Sequence, residues 1–319
     1  MPAAAASAVL PQLDGAVLVT DSGIETDLIF HHGADLPAFA AFTLLRDDDG
    51  RVLLERYFRE HLETAAAHGV GSLVETPTWR ASAGWAAAVG WSVPDVVRAN
   101  REAYELVDGV RRRVPNQAGP SLVSGCLGPR GDGYVVSERM SAEQARVYHQ
   151  QQVESFAETG VDLVSLLTLG YPQEAIGFVL AAAATGVPAV PSFTVEVDGR
   201  LPDGTALGDA ITAVDDATDG YAAYFMVNCA HPEHIAPVLD PTAPWASRLV
   251  GVRANASTRS HAELDEATEL DDGDPVALAA GLLGLRDTMP ALSVLGGCCG
   301  TDVRHIDALG SALGAALQG

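Results

Sequence analysis

The chain has 319 residues, 48% of them hydrophobic, and a formal net charge of −23 because 42 acidic residues outnumber 19 basic ones. All 19 of these basic residues are arginine, and the sequence contains no lysine. This acidic balance excludes nucleic acid as a partner, since phosphate binding needs clustered positive charge. It also argues against binding to an anionic membrane surface.

The sequence contains no run of about 18 apolar residues, so no membrane span is expected. Residues 1–12 lack a positively charged stretch before their short apolar segment, which predicts a loose N-terminal tail rather than a signal peptide. Four cysteines are too few for a disulfide scaffold in a chain of this length. They indicate free thiols and a cytoplasmic location.

Short β-branched or apolar runs alternate with longer alanine-rich amphipathic segments along the whole chain. The predicted strands span 16–21, 72–78, 121–126, 162–168, 189–196, 224–229, 248–256 and 292–299. The predicted helices between them include 52–68, 94–113, 141–159, 172–185, 207–218, 275–288 and 302–316. Continuous apolar strands separated by helices imply a parallel sheet that is buried on both faces.

Eight such units predict an α/β fold, a (β/α)8 TIM barrel that forms a single domain over residues 1–319. The alternative is a doubly wound open sheet, which is disfavoured because no GxGxxG motif follows the first strand. Several helix starts carry local signals. Ser141 and Gln144 have the spacing of a capping box, and Pro172 and Pro275 lie at first-turn positions.

In a barrel of this kind, chemical groups gather at the C-terminal ends of the strands. Asp21 and Glu75 end the first and second predicted strands, and the sixth and eighth predicted strands end in cysteines. Strands six and eight are separated by one strand, and neighbouring strands lie about 4.8 Å apart. We therefore expect Cys229, Cys298 and Cys299 to lie close enough to share a metal ion.

Three thiolates with an open fourth position are typical of a catalytic zinc site, whereas structural zinc sites have four protein ligands. Sulfur favours zinc over magnesium or calcium. Cys126 lies across the barrel and is expected to be a buried core residue. His231 and His234 are alternative ligands, although the all-sulfur set favours a surface or supporting role for them.

Six segments resemble those of the zinc-dependent homocysteine S-methyltransferases, a family that includes betaine- and S-methylmethionine-dependent enzymes. The resemblance extends through nearly the whole chain, and the two cysteine segments are its most specific part. The segments are DSGIET (21–26), ETPTWRAS (75–82), LGPRGD (127–132), SFTVEVDGRLPDGTAL (192–207), VNCAHP (227–232) and GGCCGTDVRHI (296–306).

This resemblance implies a barrel with Zn²⁺ on the three cysteines and a small-molecule thiol acceptor at the open position. The methyl donor would be a sulfonium or betaine-type onium compound. Asp21 and Asn228 are the expected catalytic residues, and a homo-oligomer is compatible with the family. The expected substrate-binding residues are Asp21, Gly23, Thr26, Glu75, Thr78 and Thr168.

One position departs from the family pattern. Family members carry Phe-Glu-Thr after the fourth strand, and that glutamate binds the amino group of homocysteine. Here Leu167 stands in place of the glutamate, while Thr168 is retained. We therefore expect either an acceptor thiol that lacks this amine, or an amine that is bound elsewhere, for example by Glu75 or Asp21.

Two questions stay open at the level of the sequence. Five aromatic residues on predicted rim loops could contact an onium group or take part in ordinary loop packing. They are Trp79, Trp85, Tyr134, Tyr171 and Phe193. The alternative function is a non-catalytic zinc-binding or redox-sensing barrel that uses the Cys298–Cys299 pair.

Overall fold

The structure is a computed structural model that describes residues 10–115, 117 and 119–318. Eight parallel strands form a closed barrel in which each strand pairs with its neighbours in chain order, and β8 pairs with β1. The predicted (β/α)8 barrel is confirmed. The strands are β1 Leu18–Thr20, β2 Gly71–Glu75, β3 Ser121–Leu127, β4 Leu163–Leu169, β5 Ala189–Phe193, β6 Phe225–Ala230, β7 Leu249–Ala254 and β8 Val294–Gly297.

Helices follow the strands and cover the outside of the barrel. The predicted limits of the helices at 172–185 and 275–288 agree with the structure. The predicted capping box is formed, since the Gln144 N–H donates to Ser141 Oγ (3.2 Å) and the Ser141 N–H donates to Gln144 Oε1 (2.9 Å). The helices are α1 Ile24–Phe30, α2 Asp48–Ala67, α3 Ala83–Ala86, α4 Val93–Arg113, α5 Ala142–Ala157, α6 Pro172–Thr185, α7 Leu207–Ala217, α8 Pro232–Ile235, α9 His261–Asp265, α10 Pro275–Thr288 and α11 Val303–Gln318.

Across the described ranges, none of these helices combines the length and the apolar character that crossing a bilayer would require.

The core has an inner and an outer layer because successive strand residues face opposite sides of the sheet. In β4, Leu163 and Leu167 pack with residues that fill the barrel, including Leu73 of β2. Val164 and Leu166 lie between them in the sequence and pack in the outer layer, against the helices.

The N-terminal end of the barrel is closed by residues that were predicted to be a loose tail. Pro11–Asp14 forms a 3-10 helix, and Leu10 is 5% exposed within the inner layer. Gln12 Nε2 donates to Tyr224 Oη (3.2 Å), and Ser293 Oγ donates to the Gln12 carbonyl (2.9 Å). The tail prediction is therefore wrong for residues 10–12, because these residues gain burial and hydrogen bonds there. Residues 1–9 lie outside the described part of the chain.

This arrangement predicts a strong asymmetry between two leucines of the same segment. Leu10→Ala should lower the free energy of unfolding by roughly 2–5 kcal/mol, since it leaves a cavity at the base of the barrel. Leu13 is 49% exposed, so Leu13→Ala is the matched control and should change stability by less than about 0.5 kcal/mol. Urea unfolding of both variants measures the difference. Equal stabilities of the two variants would contradict the assignment of Leu10 to the core.

Candidate active site

Three cysteine sulfurs meet at the C-terminal rim of the barrel. Cys229 Sγ lies 2.6 Å from Cys298 Sγ and 3.4 Å from Cys299 Sγ. All three sulfurs lie within 4.8 Å of one another. All three are free cysteines. The structure therefore brings together the three residues that the sequence analysis selected as metal ligands.

Cys229 reaches this cluster because strand β6 is irregular at its end. The pairing register between β6 and β7 shifts between Asn228 and Ala230, and Cys229 adopts a left-handed conformation with φ 55°. A bulge of this kind inserts one residue and changes the direction of its side chain. Asn228 and Cys229 consequently both line the central cavity, although regular strand residues would alternate between the two faces.

The two adjacent cysteines follow β8 in a loop that is tied to β7. The Cys298 N–H donates to the Ala254 carbonyl (2.7 Å), and the Ala256 N–H donates to the Cys299 carbonyl (3.1 Å). Gly300 then turns the chain with φ 79°, a conformation that favours glycine. These contacts fix the loop, so both sulfurs face the same point.

The thiols share hydrogen bonds that favour one ionised sulfur. The pKa of the Cys298 thiol is held well below its usual range, first because Cys229 and Cys299 donate hydrogen bonds to it and also because Arg253 is near. The thiolate is the form of cysteine that binds a metal. A set of three converging thiols with an ionised member is chemically suited to zinc.

Asn228 connects this cluster to strand β4. The Thr168 N–H donates to Asn228 Oδ1 (2.8 Å), and Asn228 Nδ2 donates to Thr168 Oγ1 (2.9 Å). Ser192 Oγ also donates to Asn228 Oδ1, at 2.7 Å. Thr168 has φ 65° at a second irregularity of the barrel, between β4 and β5. The reciprocal bonds hold both side chains at the cavity wall.

Asp21 and Glu75 lie beside a buried arginine to which the sequence analysis gave no role. Arg253 of β7 is 3% exposed, and its Nη1 lies 3.0 Å from Asp21 Oδ1 and 3.8 Å from Glu75 Oε1. Asp21 Oδ1 also accepts from the Glu75 N–H (3.1 Å), and Ser165 Oγ donates to Glu75 Oε2 (2.7 Å). Of the two carboxylates that were considered as binding sites for a substrate amine, Asp21 is thus already paired, whereas Glu75 Oε1 has no hydrogen-bond partner among the described residues.

Glu25 provides another carboxyl group in the cavity wall. Within the described residues its side chain has no ion-pair partner. Burial raises the pKa of Glu25 to about 7, and the nearby Cys298 and Asp21 add to the shift. Glu25 belongs to the segment DSGIET (21–26) that follows the first strand. Nothing in the sequence of that segment distinguishes this glutamate from a solvated helix residue.

Gly23 and Thr26 connect the first rim loop to the cysteine loop. Thr26 Oγ1 donates to the Gly23 carbonyl (2.9 Å) and accepts from the Gly300 N–H (3.1 Å). A Cβ atom at Gly23 would lie 2.3 Å from the Cys298 carbonyl oxygen. Only glycine permits this approach between the two backbones.

Thr78 is the predicted substrate-binding residue that does not line the cavity. Its side chain is completely buried, and its Oγ1 donates to the Cys126 carbonyl (2.7 Å). The hydroxyl therefore joins the β2 loop to β3 behind the cavity wall. Cys126 is 3% exposed, as expected for a core residue.

Tyr134 is in contact with the sulfur cluster. Its hydroxyl donates to Cys229 Sγ (3.1 Å), and burial raises the pKa of this phenol well above its usual value, so it stays protonated. The Tyr134 ring lies 4.1 Å from the ring of His261, which forms a 2.7 Å hydrogen bond with the Cys229 carbonyl. His231 instead caps α8 by accepting from the Glu233 N–H.

A cavity of about 640 Å³ opens above the sulfurs. Its walls include Trp79, Trp85 and Tyr134, three of the aromatic residues that were considered for onium contacts. The other two are elsewhere. Phe193 is fully buried and stacked on Phe225, and Tyr171 Oη accepts from the Met140 N–H. Phe193 ends β5 and Tyr171 follows β4, so both lie at this end of the barrel. Neither lines the cavity, and both take part in packing, the alternative that the sequence left open.

Comparison with known proteins agrees with this geometry. Residues 18–313 match the family model of homocysteine S-methyltransferase. The selenocysteine Se-methyltransferase of Brassica oleracea var. italica is 23% identical over 92% of this chain and 88% of its own length. The homocysteine S-methyltransferase 3 of Zea mays is 25% identical over 92% of this chain and 89% of its own length.

Among solved structures, the metallated form of the homocysteine methyltransferase MmuM from Escherichia coli has the same fold. Its TM-score is 0.73 at 22% identity, and the match covers 96% of this chain and 99% of that one. The fold and rim are those of a TIM-barrel enzyme. The chain belongs to the homocysteine S-methyltransferase family, and it is therefore a methyltransferase.

The close approach at Gly23 generates a prediction. Gly23→Ala should push the first rim loop away from Cys298 and lower the free energy of unfolding by roughly 1–3 kcal/mol. Gly284 lies within α10, and a Cβ atom there would meet nothing within 4 Å. Gly284→Ala is therefore the control and should stabilise the protein by up to about 1 kcal/mol. Thermal unfolding of both variants tests the packing; a neutral Gly23→Ala would contradict it.

Proposed function

We propose that this protein is a zinc-dependent thiol S-methyltransferase. It moves a methyl group from a sulfonium or betaine-type onium donor to homocysteine or a related small thiol. The observation that carries the proposal is the convergence of Cys229, Cys298 and Cys299 at a cavity of substrate size. Membership of the homocysteine S-methyltransferase family supports the same reaction class.

The three cysteines would hold the metal and leave a fourth position toward the cavity. Zinc, when bound there, stabilises the thiolate form of an added thiol at neutral pH. Tyr134 supplies a hydrogen bond to Cys229, and Asn228 lies 3.8 Å from Cys298 Sγ. These two side chains orient the sulfurs.

In the proposed reaction, the acceptor sulfur forms a bond to the methyl carbon while the bond from that carbon to the donor sulfur or nitrogen breaks. The electron pair of the broken bond returns to the donor, which loses its positive charge. Trp79, Trp85 and Tyr134 present aromatic surfaces that suit an onium group. Glu25 adds a carboxyl group to the same wall.

A reducing, cytoplasmic setting fits this proposal because all four cysteines are free. Two further expectations remain predictions: that residues 1–319 form a single domain, and that the protein is a homo-oligomer. The alternative function, a non-catalytic zinc-binding or redox-sensing barrel, uses the Cys298–Cys299 pair alone. The close contacts between Cys229 and both members of that pair favour a three-thiol metal site instead.

Metal analysis under reducing conditions tests the proposal. The purified protein should contain about one zinc ion per chain, and the metal should protect three thiols from a thiol reagent. Cys229→Ser should lose most of the zinc and the methyl transfer. Cys126→Ser is the matched control and should keep both, since Cys126 is buried in the barrel. A protein that binds no metal and forms a disulfide between Cys298 and Cys299 would favour the redox alternative.

The part of the cavity proposed to hold the thiol acceptor contains Leu167, where other family members carry a glutamate. This side chain lines the cavity and packs with the inner layer of the barrel, so it offers no charge to an ammonium group. Asp21 is paired with Arg253, whereas Glu75 Oε1 lies 3.8 Å from that arginine and has no hydrogen-bond partner among the described residues. The proposed acceptor is therefore a thiol whose affinity does not depend on a charged contact at Leu167.

This proposal predicts how the enzyme ranks two acceptors, homocysteine and its deaminated analogue 4-mercaptobutyrate. The native enzyme should not favour homocysteine strongly. Leu167→Glu should increase the preference for homocysteine by roughly 10- to 150-fold in kcat/KM, the range expected for one charged hydrogen bond. Leu167→Gln is the uncharged control of similar size. The idea fails if the native enzyme prefers homocysteine by orders of magnitude and Leu167→Glu adds nothing.

A further inference from the structure

A buried arginine without a carboxylate partner lies in the wall of the cavity. Arg80 follows β2, is 7% exposed, and lines the same cavity as the cysteine sulfurs. Across residues 10–115, 117 and 119–318, no Asp or Glu oxygen lies within ion-pair distance of its guanidinium. Arg253, the other buried arginine of the cavity, is paired with Asp21. A buried cation is costly unless it is paired and hydrogen-bonded.

The guanidinium of Arg80 is held between two indole rings. Its central carbon lies 3.9 Å from the centre of the Trp79 ring and 3.8 Å from that of Trp85. Nη1 donates to the Gly131 carbonyl (2.9 Å). Contact with both rings restricts the position of the guanidinium, and among the described residues Nη2 has no hydrogen-bond partner, which leaves it free to bind a ligand.

The same wall contains unpaired N–H donors. Nε of Arg80 has no hydrogen-bond partner in the described residues, and neither has the indole nitrogen of Trp79 or Trp85. Buried donors are almost always paired in folded proteins, so these three nitrogens, which have almost no accessible surface, leave this part of the wall with an uncompensated polar cost. A planar anion matches the fork of donors that a guanidinium presents.

Arg80 keeps its charge in this environment, and its acidic neighbours do not neutralise it. Burial lowers the pKa of Arg80 to about 10, which is still far above neutral pH. Asp132 is committed to a turn, where its Oδ1 accepts from the N–H groups of Tyr134 (2.7 Å) and Val135 (3.0 Å). Glu25 raises the pKa of Arg80 through its charge, but its carboxylate lies beyond ion-pair distance of the guanidinium.

We propose that Arg80 is the carboxylate-binding residue of this cavity. A substrate of the methyl transfer presents its carboxylate to the guanidinium between Trp79 and Trp85, and its reacting end points to the cysteines. This assignment rests on the proposed function, because it takes the sulfurs as the reactive centre. It adds to that function the residue that determines specificity for the carboxylate, at the end of the substrate opposite the thiol or the onium methyl group.

Arg80 and the sulfur cluster belong to one continuous cavity. Arg80 lines the same cavity of about 640 Å³ as Cys229, Cys298 and Cys299. Gly131 accepts the hydrogen bond from Arg80, and Tyr134, three residues later, donates to Cys229, so a single loop contacts both groups. A molecule bound in this cavity can therefore present its carboxylate to Arg80 and its other end to the sulfurs.

Calorimetric titration of the zinc-loaded protein tests this without requiring turnover. The donor arm compares glycine betaine with choline, which carries the same onium group without a carboxylate. The acceptor arm compares homocysteine with 3-aminopropane-1-thiol, which lacks the carboxylate. In at least one arm the carboxylate compound should bind about 10-fold tighter or more, and the arm that shows this identifies which substrate Arg80 holds.

Two variants and a control assign the effect to Arg80. Arg80→Gln should abolish the preference for the carboxylate compound, and Arg80→Lys should retain part of it because the positive charge remains. Arg46 is the control, since it also lies over an indole ring, 4.9 Å from that of Trp91, but does not line the cavity. Arg46→Gln should leave all affinities unchanged. Circular dichroism confirms that each variant is folded.

The assignment is overturned if folded Arg80→Gln binds every compound as the native protein does. It is also overturned if this variant weakens the carboxylate compound and its neutral partner equally, which would indicate a structural role. A native protein that binds none of the carboxylate compounds at millimolar concentration overturns it too. Carboxylate binding through Arg80 in a protein that transfers no methyl group would instead contradict the proposed reaction and support the carboxylate site.

Discussion

A buried ion pair between Arg253 and Asp21 organises the C-terminal rim of this barrel. The guanidinium on β7 reaches the Asp21 carboxylate and the backbone carbonyls of Ser22 and Gly297. Removing one partner of such a pair typically costs about 3–5 kcal/mol, because the other charge is left uncompensated. The loops that follow β1 and β8 are therefore fixed relative to β7 without the help of a ligand.

The sulfur cluster depends on a second constraint, the irregular ends of β4 and β6. Thr168 and Cys229 both have positive φ, a conformation that is unfavourable for residues other than glycine. Asn228 stabilises both ends, since it bonds to the backbone and side chain of Thr168 and precedes Cys229 in the strand. The local strain is balanced by long-range hydrogen bonds, and the thiols gain a defined direction.

Much of this architecture follows from local sequence patterns. The limits of α6 and α10 could be predicted because proline marks each start, and the cysteine trio because the strand ends of a closed barrel meet at one rim. The pairing of Arg253 with Asp21 could not, since 232 positions separate them and no local pattern encodes the contact. The bulge that turns Cys229 toward the cavity likewise cannot be predicted from the alternation of residues along a strand. The choice between onium contact and packing could not be made for Phe193 for a related reason, because an apolar residue at a strand end can face the helices or the cavity.

The group formed by Trp79, Arg80 and Trp85 lies in the segment between β2 and α4, whereas the sulfurs lie in β6 and in the loop after β8. The part of the cavity that would recognise a molecule and the part that would react with it are thus built on separate strands. In a closed barrel, the loop that follows one strand can change in sequence while the hydrogen-bonded strands keep their arrangement. Relatives with another residue at position 80 could accept other compounds and still share one reactive centre, so chemistry and selectivity can diverge independently in this architecture.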